Sequence, residues 1–452
     1  MDNAEIQSGT GALRREINLP ALIAIMIGLN VGGSLFALTG IAAGLTGPSL
    51  FIAQLISALP ILLALIPYLV LTSAMPVTCA NYQYAKLFSP PLAAAAWMTL
   101  FIAIPIGALP LFAIITGNFA EMLIPGLPLT TIAIIVMTIF FGLNVVGIKP
   151  TAYVQLAAVG VLILALAVFI VPGVTAIKVQ NMTPLFSGGV MGLIGASALL
   201  FTLLAGGLFG IEIGGEVKNA KSVIPKALII SIAVVLVLYL FIEIVAVGVM
   251  DWKLFATGTL GDPAQVFLSG PLLGFFIIGG GILASITTIN LILTVAGRYA
   301  LAFAQDGFFP GFFGSINKRF GTPHWGLALP YGMSIITLIV NPPLIVLGQI
   351  LNFGLLFMIT LVLFAAFHLP KKHPELYEKT KFKFSPKVLR ITSLSAICIN
   401  IIFMIVLAYG LMTSEESKWT FPLFVIAAIA GIILYFVRRK KTALEPQITP
   451  LP

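Results

Sequence analysis

The sequence predicts an all-α polytopic membrane protein with twelve transmembrane helices: a 5+5 inverted repeat with discontinuous helices 1 and 6, followed by two further helices. Composition is the first reason, because 60% of the 452 residues are hydrophobic and 9% are charged, whereas soluble domains carry about 25% charged residues. Apolar runs long enough to cross a bilayer are the second reason. The third is a pair of glycine interruptions at matching places in the first and sixth runs.

The apolar runs recur along nearly the whole chain. Each run is about 17 residues long or longer, and a helix needs about 20 residues, with a range of about 17 to 25, to cross the hydrocarbon core. We predict spans at 19–44, 48–74, 92–123, 129–147, 151–172, 189–215, 227–250, 272–304, 325–341, 344–368, 388–412 and 419–437. An even number of spans places both termini on the same side of the membrane.

The basic residues indicate which side that is. With a cytoplasmic N-terminus, all of the 24 lysines and arginines except Lys178, Lys253 and Lys418 lie in cytoplasmic loops or helix ends, as the positive-inside rule requires. We therefore expect a multi-pass protein of the cytoplasmic membrane with both termini cytoplasmic. The net charge of +9 then reflects topology and attraction to anionic lipid, and does not indicate nucleic-acid binding.

This topology divides the chain into six segments. They are a cytoplasmic N-terminal tail (1–18), a first five-helix repeat (19–172), a second, inverted five-helix repeat (189–368), a cytoplasmic loop (369–387), helices 11 and 12 (388–437) and a cytoplasmic C-terminal tail (438–452). None of the loops is long enough to bury a core of its own. The expected partners are a small molecule and the lipid bilayer, and no required protein partner is evident.

The glycine interruptions fall in the segments 27–36 and 201–210. An opened helical turn in lipid leaves backbone groups unpaired, so it persists only where protein, water or a ligand satisfies them. Broken helices at equivalent positions of two repeats indicate a transporter binding site at the midplane. Because five is odd, the second repeat enters the membrane from the opposite face, and the two breaks are expected to meet between the repeats.

The helix dipoles suggest what such a site binds. Amides at the start of the helix after Gly32, at Gly33 and Ser34, suit a carboxylate. Free carbonyls near Asn30 and at 202–205 suit an ammonium group. The two breaks together predict a receptor for a zwitterion such as an α-amino acid.

Close packing of helices is the alternative explanation of these glycines. Gly28 with Gly32, and Gly210 with Gly214, have the GxxxG spacing that lets two helices approach closely. A single cluster favours packing. Two clusters at matching positions of a repeat favour functional unwinding.

Six motifs in a fixed order carry a resemblance to a known family. They are Gly32–Phe36 (like G-[SA]-G-[IV]-F), Pro76–Tyr84 (P-x-x-G-G-x-Y-x-Y), Asn144–Lys149 through Gln155 (N-x-x-G-x-K, then glutamine), Glu216–Ala227 (E-V-K-N-P-K-x-x-I-P-[RK]-A), Arg298–Pro310 including Asp306 (R-x-x-x-A-x-A-[RK]-D-G-x-x-P) and the basic loop Leu369–Pro374. The chain is identified by them as a member of the amino acid-polyamine-organocation superfamily, whose members have the LeuT-type fold. Ser34, Cys79 and Ala80 stand where the family has glycine.

The resemblance implies secondary active transport of an amino acid by alternating access. It also implies recognition of the α-carboxylate at Gly33 and Ser34, and of the α-amino group by carbonyls at Asn30, Thr202 and Ala205, next to Gly206. Phe201 and Thr202 lie where members often carry an aromatic gate. Thr202 replaces a bulky aromatic residue found there in some exchangers.

Coupling to an ion is left open by the sequence. A proton is one candidate, through Glu212 beyond the second break, which is equally well explained as a structural hydrogen-bond acceptor. Sodium is the other, through hydroxyls of Ser285, Thr287 and Thr288, although such hydroxyls commonly bond their own helix. Leu162 occupies the position of a lysine used by some proton-coupled members. No cofactor is expected, since the cysteines and histidines lack metal-ligand spacing.

Selectivity for a neutral amino acid is favoured because no charged residue falls at the centre of the third or tenth span. The apolar and amide residues expected there lie in 97–110 and 352–358. An amino-acid or polyamine exchanger, or a transport-inactive nutrient sensor on the same scaffold, are the alternatives. An enzyme is disfavoured, because the chain contains no H-E-x-x-H, G-x-S-x-G or P-loop motif.

Overall fold

The computed structural model describes residues 17–147, 152–305, 307–317, 319–415 and 417–439. The two predicted tails, 1–18 and 438–452, lie largely outside these residues. Lys149 and Asp306 of the family motifs lie outside them as well, and so does the side chain of Gln155.

The described residues are almost entirely helical. Their helices are α1 Leu19–Asn30, α2 Gly33–Thr46, α3 Leu50–Ala74, α4 Ala80–Phe88, α5 Pro90–Ala103, α6 Leu109–Leu123, α7 Leu129–Val146, α8 Ala152–Thr175, α9 Gly189–Ala205, α10 Ala220–Val249, α11 Trp252–Phe255, α12 Gly261–Phe267, α13 Gly270–Phe275, α14 Leu283–Gln305, α15 His324–Val340, α16 Leu344–Lys372, α17 Pro374–Glu378, α18 Pro386–Thr413 and α19 Thr420–Arg439. A π-helical turn joins α5 to α6, and another, Phe276–Ile282, joins α13 to α14. A 3₁₀ helix, Gly206–Glu212, continues α9.

Ten helical runs among the described residues are apolar and long enough to cross a membrane. The first of them, Leu19–Ala74, is 56 residues long and contains α1, α2 and α3. The helix His324–Val340 is apolar but shorter than the other runs. This pattern is that of a polytopic helical membrane protein.

Most helices begin and end within a few residues of the predicted spans, and α10 differs most. It begins at Ala220, whereas the predicted span begins at 227. Its first turns contain Lys221 and Lys226, which hydropathy assigns to a loop. A hydropathy window detects only the part of a helix that lies in lipid, and a helix can extend beyond it.

A short helix that hydropathy does not detect, α4, lies between α3 and α5. It follows Cys79, whose φ of 53° lies in the left-handed region that favours glycine. The family motif has a glycine pair at Cys79 and Ala80, so the backbone keeps a conformation that the side chains do not favour. Helix α4 packs against α16 and against the 3₁₀ helix after α9.

The two interrupted helices occupy the interior of the bundle. Helix α1 packs against α10, α8 and the segment 206–212, while α2 packs against α9 and α6. Helix α3 packs against both α9 and α10. The ends of α1 and α9 are thereby brought together among buried helices.

Candidate functional site at two helix breaks

The first break separates α1 from α2 by two residues. Helix α1 ends at Asn30, where the Val31 N–H donates to the Ile27 carbonyl at 2.7 Å and the Gly32 N–H donates to the Asn30 carbonyl at 2.8 Å. Helix α2 begins at Gly33. Among the described residues, the Gly33 and Ser34 amides form no backbone hydrogen bond across the break. Unpaired donors therefore remain at the start of α2.

The carbonyls at the end of α1 are also left without their helical donors. Gly28 and Leu29 would accept from Gly32 and Gly33 in a continuous helix. Gly32 donates to Asn30 instead. The break thus places unpaired carbonyls and unpaired amides within a few residues of each other.

The second break is a change of helix type. Helix α9 ends at Ala205, which is buried, and the chain continues as the 3₁₀ helix Gly206–Glu212. The Gly206 N–H donates to the Thr202 carbonyl. The Thr202 carbonyl, expected to be free, therefore has a donor in this conformation, because α9 keeps its last α-helical hydrogen bond before the 3₁₀ helix begins.

The two breaks are in direct contact. The Gly207 N–H donates to the Asn30 Oδ1 at 2.5 Å, and Asn30 is fully buried. A Cβ atom on Gly207 would lie 2.6 Å from the Asn30 Nδ2, and one on Gly206 would collide with the Leu29 carbonyl oxygen. Only glycine allows α1 and the start of the 3₁₀ helix to approach this closely.

Tyr239 of α10 holds the two breaks from one side. Its hydroxyl donates to the Asn30 carbonyl at 2.6 Å and lies 3.3 Å from the Leu203 carbonyl. Tyr239 is not among the site residues predicted from the sequence. It could have been selected from its place inside an apolar span, because a buried tyrosine must find a partner for its hydroxyl.

The walls of the first break are equally close. A Cβ atom on Gly33 would lie 2.7 Å from the Phe112 ring and 2.9 Å from the Ser285 Oγ, and one on Gly32 would collide with the Thr288 side chain. All three of these side chains are buried, and Ser34 is 4% exposed. Phe112 is another contact that the sequence analysis misses, because only the fold brings α6 against Gly33.

The hydroxyls of α14 donate to their own helix. Ser285 bonds the Gly281 carbonyl at 2.8 Å, Thr287 the Leu283 carbonyl at 2.8 Å and Thr288 the Ala284 carbonyl at 2.7 Å. Ser285 and Thr288 face the first break, and their oxygen lone pairs remain available. Thr287 is only half-buried and is not among the groups placed against Gly32 or Gly33.

Glu212 lies at the end of the 3₁₀ helix and anchors the start of α4. Its Oε1 accepts from the Asn81 side-chain amide at 2.6 Å and from the Asn81 N–H at 3.3 Å. The Tyr68 hydroxyl donates to the other end of the Asn81 side chain at 2.6 Å. In the described part of the chain Glu212 forms no ion pair with a lysine, and these contacts tie the 3₁₀ helix to α4.

Several residues expected near the substrate side chain make contacts with other helices of the bundle. Phe201 packs against Phe403 of α18, with ring centroids 6.4 Å apart. The Asn352 side chain accepts from the Thr202 N–H at 2.8 Å and donates to the Leu199 carbonyl at 2.9 Å, so it holds α9. Phe353 stacks against α19. These contacts are long-range and cannot be read from local sequence.

The bundle is closed beneath the second break. Ile17 lies opposite Val217 in a parallel bridge, where its N–H donates to the Glu216 carbonyl and its carbonyl accepts from the Lys218 N–H. Arg298 forms an ion pair with Glu216 at 2.9 Å. A cavity of about 440 Å³ lies beside this ion pair, and Cys79 lines it. Glu216 therefore orders the loops at this end of the bundle, away from the helix breaks.

A helical membrane bundle whose two broken helices meet in its interior is a transporter scaffold. The chain belongs to the amino acid permease family, which matches residues 17–435. The family prediction is thereby confirmed, and the protein is a multi-pass membrane permease of the amino acid-polyamine-organocation superfamily, a transporter and not an enzyme.

Similar proteins include two from Bacillus subtilis (strain 168). One is a methylthioribose transporter, 27% identical in an alignment of 470 positions that covers 98% of this chain and 97% of the relative. The other is the branched-chain amino acid permease BcaP, 26% identical in an alignment of 468 positions that covers 96% of this chain and 95% of the relative. The vacuolar cationic amino acid transporter 2 of Arabidopsis thaliana is 27% identical over 350 residues, 72% of this chain and 55% of the relative.

Proposed function

We propose that this permease is a secondary active transporter that carries a neutral amino acid across the cytoplasmic membrane by alternating access. The observation that supports this most is the contact between the two helix breaks, where the Gly207 N–H donates to the Asn30 side chain. A site shared by both broken helices lets one bound molecule influence the position of each.

The proposed architecture has twelve spans and a LeuT-type 5+5 inverted repeat. The long run Leu19–Ala74 then counts as two spans, and the shorter helix His324–Val340 counts as one. The repeats are 19–172 and 189–368, followed by the loop 369–387 and helices within 388–437. Both termini are cytoplasmic, which agrees with the distribution of basic residues.

The substrate zwitterion is held by backbone groups of the breaks. The amides of Gly33 and Ser34 bind the carboxylate at the N-terminus of α2, as helix N-termini bind anions. Carbonyls of Leu29, Asn30 and Ala205 bind the ammonium group. The Asn30 carbonyl already accepts from Tyr239, so the incoming ammonium group competes with that hydroxyl or shares the oxygen.

A neutral substrate is supported by the side chains around the first break. Phe112, Ser285 and Thr288 contact Gly32 and Gly33, and none of them is charged. The name of the similar branched-chain amino acid permease agrees with an apolar substrate. A cationic substrate would need a carboxylate within reach of its side chain, because a buried charge must be paired.

Counterflow in proteoliposomes tests this function. Liposomes loaded with unlabelled L-leucine, L-alanine, L-arginine or methylthioribose are assayed for entry of the same labelled compound. We expect counterflow with L-leucine or L-alanine. Counterflow only with L-arginine or with methylthioribose would overturn the neutral-amino-acid proposal, and binding without flux would indicate a sensor.

The driving ion is tested in the same vesicles by imposing a sodium gradient or a pH gradient. Accumulation with sodium, abolished by Ser285→Ala and Thr288→Val, would place the ion at the α14 hydroxyls. Counterflow without accumulation under either gradient would indicate an obligatory exchanger. Thr287→Val is the matched control, since Thr287 bonds its own helix and does not face the break.

A further inference from the structure

Glu243 is a buried carboxylate that neither the substrate site nor the closed end of the bundle uses. It lies on α10, one helical turn beyond Tyr239, and its exposed fraction is 0%. Among the described residues, neither of its carboxyl oxygens has a hydrogen-bond partner. Buried polar groups in proteins are nearly always paired, so this arrangement requires an explanation.

No cation of the described residues forms an ion pair with Glu243. The helices α1, α3, α8, α9 and α12 pack against α10, and their sequences contain no lysine, arginine or histidine. Lys178 lies beside the end of α10, where its backbone N–H donates to the Gly248 carbonyl at 2.9 Å, and its ammonium group forms no hydrogen bond with the Glu243 carboxyl group. The lysines of α10 itself, Lys221 and Lys226, lie near its opposite end. An ionised carboxylate in this place would carry a large desolvation penalty without compensation.

The other titratable groups on packed segments are engaged elsewhere. They are Tyr68 on α3, which bonds Asn81; Asp262 on α12, which accepts from the Thr259 N–H; Glu212, which bonds Asn81; and Glu216, which pairs with Arg298. The Tyr153 side chain of α8 lies outside the described residues. Tyr239 is thus the titratable neighbour of Glu243, four residues away on the same helix face.

Helix α3 adds a second observation. Its side chains Gln54 and Ser57 are fully buried, and their polar atoms also lack partners among the described residues. Helix α3 packs against α10. Both helices of this packed pair thus carry buried polar groups without a partner, and water can reach them when the helices separate.

We propose that Glu243 carries the proton that is coupled to transport of the amino acid. This inference rests on the proposed function. In the closed conformation the carboxyl group is neutral. When α1 and the segment 206–212 move away from α10, water reaches the carboxyl group and the O–H bond breaks. The proton is taken up from one side of the membrane and released to the other, so one O–H bond forms and one breaks in each cycle.

The connection to the substrate runs through Tyr239. Its hydroxyl donates to the Asn30 carbonyl, one of the groups proposed to bind the ammonium. The protonation state of Glu243 changes the electrostatic potential one helical turn away. Entry of both in the same direction requires the amino acid and the proton to be bound together, so in the loaded state Glu243 is neutral and Tyr239 has yielded the Asn30 carbonyl to the ammonium group.

Glu243→Gln tests the proposal, because glutamine resembles the neutral acid in shape and cannot release a proton. With a pH difference of about one unit, one-to-one coupling supports about tenfold accumulation of L-[³H]leucine in vesicles of the unaltered protein. We expect Glu243→Gln to abolish this accumulation and the accompanying proton entry seen with an internal pyranine signal. Leucine counterflow should persist, since exchange needs no net proton movement.

Two further variants make the result specific. Glu243→Asp retains a titratable group and should retain accumulation, while Glu121→Gln alters a partly exposed carboxylate on α6 and should change nothing. Accumulation by Glu243→Gln equal to that of the unaltered protein would overturn the proposal. So would loss of counterflow in a folded Glu243→Gln protein, or accumulation driven by sodium alone. No leucine or alanine counterflow in the unaltered protein would refute the proposed function instead.

Discussion

Asn30 is the residue on which the two breaks converge. Its side chain accepts from the Gly207 N–H, and its carbonyl accepts from the Gly32 N–H and the Tyr239 hydroxyl. A buried amide with these partners fixes the separation of the two broken helices. A substitution there would disturb both breaks together, so the neighbouring glycines and Tyr239 are better single-residue tests.

Gly33→Ala is predicted to weaken binding of L-leucine by about 100-fold. The Cβ of the alanine would displace Phe112 or Ser285 and would shift the Gly33 and Ser34 amides, which are proposed to bind the carboxylate. Isothermal titration in detergent measures the change. Gly142→Ala is the control, since a Cβ there meets nothing within 4 Å. Equal affinities in both variants would show that the amides of α2 do not hold the carboxylate.

Tyr239→Phe is predicted to lower the free energy of unfolding by about 1 kcal/mol, the net value of a typical hydrogen bond. The lost bond joins the hydroxyl to the Asn30 carbonyl. A lower midpoint in a thermal-unfolding assay checks this. Tyr409→Phe provides the comparison, because Tyr409 is 65% exposed; equal midpoints would mean that Tyr239 does not stabilise the break.

Among the single residues of the site, some could be predicted from the sequence and others could not. Glycines mark where the backbone opens, so Gly32, Gly33 and Gly206 could be selected without a structure. The partners of the opened groups could not, because Tyr239, Phe112 and Asn352 come from helices that are distant in sequence. For the same reason the placement of Phe201 against Phe403 was not foreseen.

The two interrupted helices differ in the backbone conformation at the break. Residues 31–32 leave the helix completely, whereas 206–212 continue as a 3₁₀ helix. Glycine content indicates that a helix is weak at a point but does not specify which alternative conformation replaces it. Helix α4 was also not predicted, because a helix of nine residues that mixes polar and apolar side chains gives no hydropathy signal.

The contact between Glu212 and Asn81 ties the 3₁₀ helix to α4. Asn81→Ala is predicted to destabilise the protein by about 3 kcal/mol, because it removes the 2.6 Å hydrogen bond to the buried Glu212 carboxylate and leaves the Tyr68 hydroxyl without its acceptor. Asn400→Ala, at a buried asparagine with one neutral partner at 3.2 Å, should cost about 1 kcal/mol. Thermal unfolding of the two variants measures the difference, and equal losses would contradict the anchoring role.

At the scale of the whole molecule, the described bundle is closed around the breaks. Asn30, Ser34, Thr202 and Ala205 are buried, and the ion pair of Arg298 with Glu216 joins α14 to the segment after the second break. Composition and the apolar runs were enough to predict a helical, multi-pass membrane protein. The conformational state could not be predicted, because alternating access requires one sequence to support several packings.

Arg298→Ala is predicted to open the closed end of the bundle. The side chains of Arg298 and Glu216 are about one-quarter exposed, so the loss in the free energy of unfolding is about 1 kcal/mol or less. The equilibrium between the closed and open states nevertheless shifts towards the open state. Cys79 lines the adjacent cavity and is 8% exposed, so its alkylation reports on access to this end of the bundle. Its alkylation should be several-fold faster in Arg298→Ala than in the unaltered protein. Both proteins carry Cys398→Ser, so that Cys79 is the cysteine that reacts.

The Lys418–Glu415 pair provides the control for this experiment, because it is exposed and lies three residues apart on one segment. Lys418→Ala should leave the alkylation rate of Cys79 unchanged. The double variant Arg298→Glu with Glu216→Arg restores opposite charges and should restore slow alkylation. An unchanged rate in Arg298→Ala would show that this ion pair does not control access.

The central claim is that the substrate lies between the two helix breaks. The most direct measurement is an experimental structure with bound L-leucine. We predict that the carboxylate oxygens of the bound leucine lie about 3 Å from the amides of Gly33 and Ser34. Its ammonium group should face the carbonyls of Leu29, Asn30 and Ala205. Leucine bound instead in the cavity beside Arg298 and Glu216, with the breaks unchanged, would contradict it.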